Sequence, residues 1–244
     1  MAWSLHRHVR AYATMRLMAD SPTATGGPAA FGPVGQFWRR LKARLRPAPI
    51  DTVDALRTFL EERAALIAQK CAIDYCRGKT GLASYALFTE KPFLEALDRC
   101  RWDTFAAVLC DLIIVAEGKL RSHVAPGQHS RLCEALAGLY PVILASLPPP
   151  AHRAGGWDEA IASFAPRFRE ASLGEPRQAL DVADHSARCL FDTLPIHLNM
   201  RELDEEVVYG AVRFRMIAVS QEMQGLLRAP ELVKQLVADQ NVTL

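Results

Sequence analysis

Apolar positions recur along most of this chain at intervals of three and four residues, the spacing that puts them on one face of an α-helix. The clearest run begins at Asp51 or Thr52, either of which can cap a helix, and continues unbroken to Gly78. Val53, Leu56, Leu60, Ala64, Ile67, Cys71 and Ile73 keep helical spacing within it. At about 1.5 Å per residue a helix over 52–77 is roughly 38 Å long, enough to span a domain. Further helical patterns occupy 92–100, 102–122, 129–146, 157–171, 177–193, 201–226 and 230–239. Prolines at 92, 126, 148–150, 176, 195 and 230 fall between or at the edges of these patterns, where helix breakers belong. Pro141 and Pro166 fall inside patterns and are expected to end or kink their helices.

One stretch alternates apolar and charged residues as a strand would: "AVRFRMI", 211–217. The longer window Leu203, Val207, Gly210, Ala211, Phe214, Ile217, Ala218 also fits a helix. A lone strand has nothing here to pair with, so helix is preferred. The expected fold is all-α: an irregular multi-helix bundle organised on the long helix, forming one domain over 50–240.

The first 50 residues differ in kind. Residues 1–20 are basic, and 21–33 ("SPTATGGPAAFGP") read as a flexible linker. Residues 34–47 ("VGQFWRRLKARLRP") form a basic amphipathic segment. On a helical wheel, Val34, Phe37, Trp38, Leu41 and Leu45 share an arc roughly 100° wide. Arg39, Arg40, Lys42, Arg44 and Arg46 flank it. Residues 1–50 hold eight Lys/Arg and one acid, for a net of +7; the remainder holds 21 basic and 26 acidic residues, for a net of −5. The total of +2 hides this split. A basic helix with an aromatic face suits an anionic membrane interface, where each cation contributes on the order of 1 kcal/mol. Phe37, Trp38, Arg39, Arg40, Leu41, Lys42, Arg44 and Leu45 are therefore the expected membrane-contact residues. Docking of this segment on the domain itself, and a solvated tail, are the competing readings. Nucleic acid is a weaker partner, because none of the usual reading modules is present.

The six cysteines (71, 76, 100, 110, 133, 189) form no C-x-x-C pair, and most interrupt apolar helical patterns. They read as free thiols in a reducing, cytoplasmic compartment. No run reaches about 18 apolar residues, so no membrane-spanning helix is expected. The most apolar stretch, "FAAVLCDLIIVA" (105–116), carries Asp111.

Candidate chemistry is sparse. No serine has glycine on both sides as in a nucleophile elbow, and the adjacent pairs Ser122–His123, His129–Ser130 and His185–Ser186 point about 100° apart on a helix. Asp181 and His185 share a face at i, i+4 and read as a surface pair rather than a metal site. No cofactor is expected. Asp111 and Lys70 lie in apolar surroundings, where a lone charge costs several kcal/mol unless paired. They read either as an interhelical salt bridge or as part of a small-molecule pocket lined by Lys70, Tyr75, Trp102 and Asp111.

The same residues carry a resemblance. Ala68, Gln69, Lys70 and Tyr75, followed by Trp102 and Cys110, Asp111, Leu112, resemble a family of helical proteins from alphaproteobacteria, over about residues 50–120. "LPIHLNMRELDEEVVYGAVRFR" adds a weaker echo. Some members carry the name esterase by automatic labelling. The resemblance implies a bacterial cytoplasm and ester hydrolysis, for which the sequence supplies no nucleophile. The sequence alone therefore favours a non-enzymatic interaction protein, peripheral at the inner membrane face and working with an unidentified protein partner. An esterase-like hydrolase or a ligand-binding bundle around Lys70 and Asp111 are the alternatives.

Overall fold

A computed structural model describes residues 48–238. They form nine α-helices and two short 3-10 turns, with no β-strand among them. The helices are α1 (Val53–Thr80), α2 (Ser84–Leu87), α3 (Lys91–Leu120), α4 (His129–Ala145), α5 (Asp158–Leu173), α6 (Ala179–Thr193), α7 (Leu198–Arg201), α8 (Glu205–Leu226) and α9 (Ala229–Ala238). The all-α bundle is as the apolar spacing predicts. The basic segment 34–47, with Phe37, Trp38, Arg39, Arg40, Leu41, Lys42, Arg44 and Leu45, lies outside the described residues.

Helix α1 is the long helix read from the sequence. Thr52 caps it, its hydroxyl accepting the Ala55 N–H at 3.2 Å. The helix passes through Gly78 and stops at Gly81, whose φ of 53° is the left-handed conformation that glycine adopts without penalty. The patterns at 92–100 and 102–122 are one helix, α3, of 30 residues, with Pro92 in its first turn. From Thr104 to Glu117 every residue of α3 is buried. A helix that is apolar all round belongs in the middle of a bundle, and α3 packs against α1, α4, α5, α6, α8 and α9.

Pro141 and Pro166 sit inside α4 and α5 without ending them. Pro141 is half-buried and Pro166 exposed. The surrounding turns bury Leu139, Tyr140 and Ile143 in α4, and Phe164 and Phe168 in α5. Tertiary packing thus outweighs the local cost of each proline. The ambiguous stretch 211–217 is helical, within α8. Its alternation arises because Val212 and Met216 face the core, while Arg213 and Arg215 reach Asp184 and Asp74 across the surface.

Two closures hold the ends together. Ile50 N–H donates to the Leu226 carbonyl and Arg228 N–H to the Ile50 carbonyl, both at 2.9 Å. This short bridge ties the chain's entry to the α8–α9 junction and buries Ile50. At the far end of α3, Gly118 lets the loop before α6 come close: a Cβ there would meet the Arg177 carbonyl at 3.0 Å. The apolar residues of the described helices form one continuous core. No helix among the described residues is long and apolar enough to cross a membrane.

Candidate functional site

Helix α3 carries five acids, and three of them, Asp103, Asp111 and Glu117, are each held by one arginine and one histidine. Asp103 accepts from Arg153 (2.7 and 2.9 Å) and contacts His152 at 2.9 Å. Asp111 accepts from Arg167 at 2.8 Å and contacts His185 Nδ1 at 3.1 Å. Glu117 accepts through both oxygens from Nε and Nη2 of Arg121 (2.8 and 2.9 Å) and contacts His129 Nε2 at 2.7 Å. Asp111 and Glu117 are buried and Asp103 is largely so, and a carboxylate in such a place is costly unless it is paired.

Asp111 is the most buried of them, with no exposed side-chain surface. Its second oxygen accepts the backbone N–H of Ser186 at 3.1 Å, on α6. Three groups from two helices therefore converge on one carboxylate. Burial pulls the Arg167 guanidinium down, but the charge and hydrogen bond of Asp111 outweigh it, and the net shift is upward. Cysteine 110 beside it is pushed up to about 12 by burial, so it stays a thiol at neutral pH.

Arg167 and His185 are also lining residues of a cleft of about 320 Å³ between α3, α5 and α6. Ala106, Ala107, Ala160, Phe164 and Tyr140 form its apolar wall. Tyr140 stacks on Phe164 with ring centroids 4.2 Å apart, and its hydroxyl donates to the Ala106 carbonyl at 3.1 Å. Burial raises the Tyr140 phenol above its ordinary value, so it stays protonated. The charges of the lining balance: Arg153, Arg167 and Arg188 against Asp103, Glu159 and Asp192. Glu159, Arg188 and Asp192 are exposed, whereas Asp103, Arg153 and Arg167 are more deeply set. The volume lies at the lower end of the range for small-molecule sites.

The residues singled out from the sequence are not brought together. Asp111 lies behind the cleft, held by Arg167 and His185. Lys70 is exposed, not buried: its ammonium meets Asp74, one turn on, at 3.5 Å. The apolar letters around it belong to the inner face of α1, and Lys70 occupies the outer one. Tyr75 points to the start of α8, where its hydroxyl donates to Asp204 at 2.8 Å beside Lys79. No residue of α1 lines the cleft. Trp102 is buried and packs edge-on against Phe105 and Trp157, with centroids 5.9 and 5.8 Å away. It supports the α3–α5 contact and does not line the cleft.

The Asp181–His185 pair also fails to form. Asp181 accepts the Gln178 N–H at 2.9 Å in a capping box that starts α6, and His185 turns to Asp111 instead. Ser186 is fully buried. Arg167, His185, Arg121 and Glu117 had no sequence signal as strong as that of Asp111. The one available hint was Glu117, which closes the same apolar run with an arginine four residues later.

Ser163, Cys110 and Cys189 line the same cleft as His185. Among the described residues, none of them is hydrogen-bonded to an imidazole nitrogen of His185, which turns its Nδ1 to Asp111. Burial pushes Cys189, like Cys110, up to about 12. The cleft can bind and orient through its donors, but it shows no activated nucleophile.

Set against family models, curated proteins and solved structures, the chain matches none of them.

Proposed function

We propose that the helical domain is a non-enzymatic binding protein that takes a small molecule of balanced charge into the α3/α5/α6 cleft. The observation that carries this reading is the lining itself. An apolar wall of alanines and stacked rings faces the guanidinium donors of Arg153 and Arg167, and the acids Glu159 and Asp192 stand exposed. Arg167 has five N–H donors, and its hydrogen bonds to Asp111 and to the Val182 carbonyl leave from Nη2 alone. An acidic group is accommodated against the arginines, a basic group near the exposed acids, and an apolar body against Tyr140 and Phe164. A purely anionic ligand is a poorer fit, because Asp103 and Asp111 already offset the inner arginines.

The test is a matched series on one aromatic body: phenylalanine, phenylacetate and phenethylamine, titrated into the full chain by ligand-observed NMR. Phenylalanine saturates a single site more tightly than either singly charged analogue. Equal or absent binding by all three overturns the reading. Ester hydrolysis, which the alphaproteobacterial resemblance implies, is the weaker alternative, since the cleft thiols stay protonated and no serine among the described residues is hydrogen-bonded to a ring nitrogen of His185.

A second reading concerns place, and it is favoured by the separation of +7 in residues 1–50 from −5 in the rest. The basic segment holds the protein reversibly on an anionic membrane face, as a peripheral protein that presents the domain to partners there. Sedimentation with anionic and neutral vesicles checks it. Binding confined to anionic vesicles, reversed by salt and lost when Arg39, Arg40, Lys42, Arg44 and Arg46 become Gln, supports it. Binding that survives those changes, or none at all, removes it.

A further inference from the structure

Near the C-terminal end of α3, Glu117 meets two side chains of α4. His129 opens that helix and Cys133 follows one turn later, so the two share a face. His129 Nε2 lies 2.7 Å from Glu117 Oε1 and 3.4 Å from Cys133 Sγ. All three donor atoms lie within 4.8 Å of one another. Glu117 is buried, whereas His129 and Cys133 are partly open to solvent, which gives an entry path.

We propose that Glu117, His129 and Cys133 bind a zinc ion. Carboxylate, imidazole and thiolate are the donor types zinc takes, and three protein ligands with one open position make a recurrent zinc arrangement. The spacing is close to what such a site requires. With Zn–O and Zn–N of about 2.0 Å and Zn–S of about 2.3 Å in a tetrahedron, oxygen and nitrogen sit about 3.3 Å apart and nitrogen and sulfur about 3.5 Å. The observed 2.7 and 3.4 Å need small openings, within reach of rotamer adjustment.

The proton balance is simple. A 2.7 Å contact between imidazole nitrogen and carboxylate needs one proton between them, and the metal takes its place. That proton moves to Nδ1 or to solvent. The Cys133 thiol, raised by burial and by the Glu117 charge, releases its proton to solvent when sulfur binds the metal. Zinc therefore binds more tightly as pH rises.

Arg121 supplies the outer support. It holds both oxygens of Glu117 and is itself fixed by the Ser172 and Gly174 carbonyls. A ligating carboxylate held in this way keeps its orientation. Ser172 lies in the last turn of α5 and Gly174 just after it, at the start of the loop that approaches Gly118 through Arg177.

The second cluster of such groups, Cys110, Asp111 and His185, is the weaker candidate. Cys110 and Asp111 are both buried, so that cluster lacks the second solvent-reachable ligand that Cys133 and His129 give the first.

The test uses the full chain, reduced and stripped of metal, titrated with zinc sulfate against a chromophoric chelator. One zinc per chain with a sub-micromolar dissociation constant is expected. Cys133→Ser and His129→Gln each weaken it about 100-fold, while His123→Gln, at an exposed neighbour, leaves it unchanged. Cobalt in place of zinc gives a near-ultraviolet thiolate band that Cys133→Ser abolishes. Far-UV circular dichroism checks that each variant folds. Should one fail to fold, alkylation of Cys133 in the unmutated chain decides, since bound zinc slows it. No stoichiometric zinc, binding that survives both substitutions, loss through His185→Gln instead, or no protection of Cys133 overturns the proposal.

Discussion

Removing the Asp111 side chain tests the electrostatic logic of the bundle directly. The carboxylate has no exposed surface and answers three donors: Arg167 at 2.8 Å, His185 at 3.1 Å and the Ser186 N–H at 3.1 Å. Asp111→Ala leaves a buried N–H without its carboxylate, a cost of about 1–3 kcal/mol. It also leaves a guanidinium without its counter-charge. Breaking a fully buried pair costs about 3–5 kcal/mol, but Arg167 keeps a third of its side chain exposed, so water recovers part of that. The sum comes to about 3–4 kcal/mol. For a domain of this size that lowers the melting temperature by roughly 6–16 °C. Urea unfolding of Asp111→Ala, Arg167→Ala and the double variant supplies the cycle. The double variant should cost clearly less than the two singles added, with a coupling of about 1–2 kcal/mol. A loss below about 1 kcal/mol in Asp111→Ala, or strict additivity, refutes the claim that this carboxylate is held by its partners.

Other expectations follow from the same geometry. Lys70→Ala changes stability by less than about 0.5 kcal/mol in urea, because its pairing with Asp74 is exposed and lies within one helix. A larger loss would restore Lys70 to the interior. Glu222 is held below the ordinary carboxylate range by its hydrogen bond to Arg63, at 2.7 and 2.8 Å, and by that cation's charge. A depressed folded pKa contributes stability that is complete above the unfolded value, about 4.3, and is lost as pH falls through the folded value. Stability therefore declines on acidification below about pH 5, and Glu222→Gln flattens that decline; an unchanged acid limb contradicts the pairing. Burial pushes Cys71 and Cys76 up to about 12 and Cys100 up to about 11, so a thiol reagent at pH 8 reaches none of them until the chain unfolds. Rapid labelling of these three in the native protein would show that the core opens.

The fold was legible where one face of a helix repeats, as in Val53, Leu56, Leu60 and Ala64. Its centre was less so. The segment Thr104–Glu117 is buried on every side, so it shows no stripe, and its continuity with 92–100 across Arg101 was read as a break. Asp111 was legible as a buried charge because its neighbours are uniformly apolar. Its partners were not, because Arg167 and His185 lie 56 and 74 residues away and look like ordinary members of amphipathic helices. Lys70 shows the converse error. Its neighbours in sequence are apolar, but on a helix the residues next in sequence belong to other faces. The His129–Cys133 pair has ligand spacing yet gains meaning only when α3 brings Glu117 against it.

The central claim is that the cleft beside Asp111 takes a small molecule of balanced charge, and one measurement addresses it most directly. Phenylalanine is titrated into the full chain and into Ser163→Trp by saturation-transfer NMR. Ser163 is an exposed lining residue, and a tryptophan there fills the cleft while leaving the core intact. A ligand of this size in such a cleft binds with a dissociation constant on the order of 0.1–1 mM. The account predicts saturable binding in that range by the unmutated chain and none by Ser163→Trp, with both equally folded. Undiminished binding by Ser163→Trp, or no saturable binding by the unmutated chain, contradicts it.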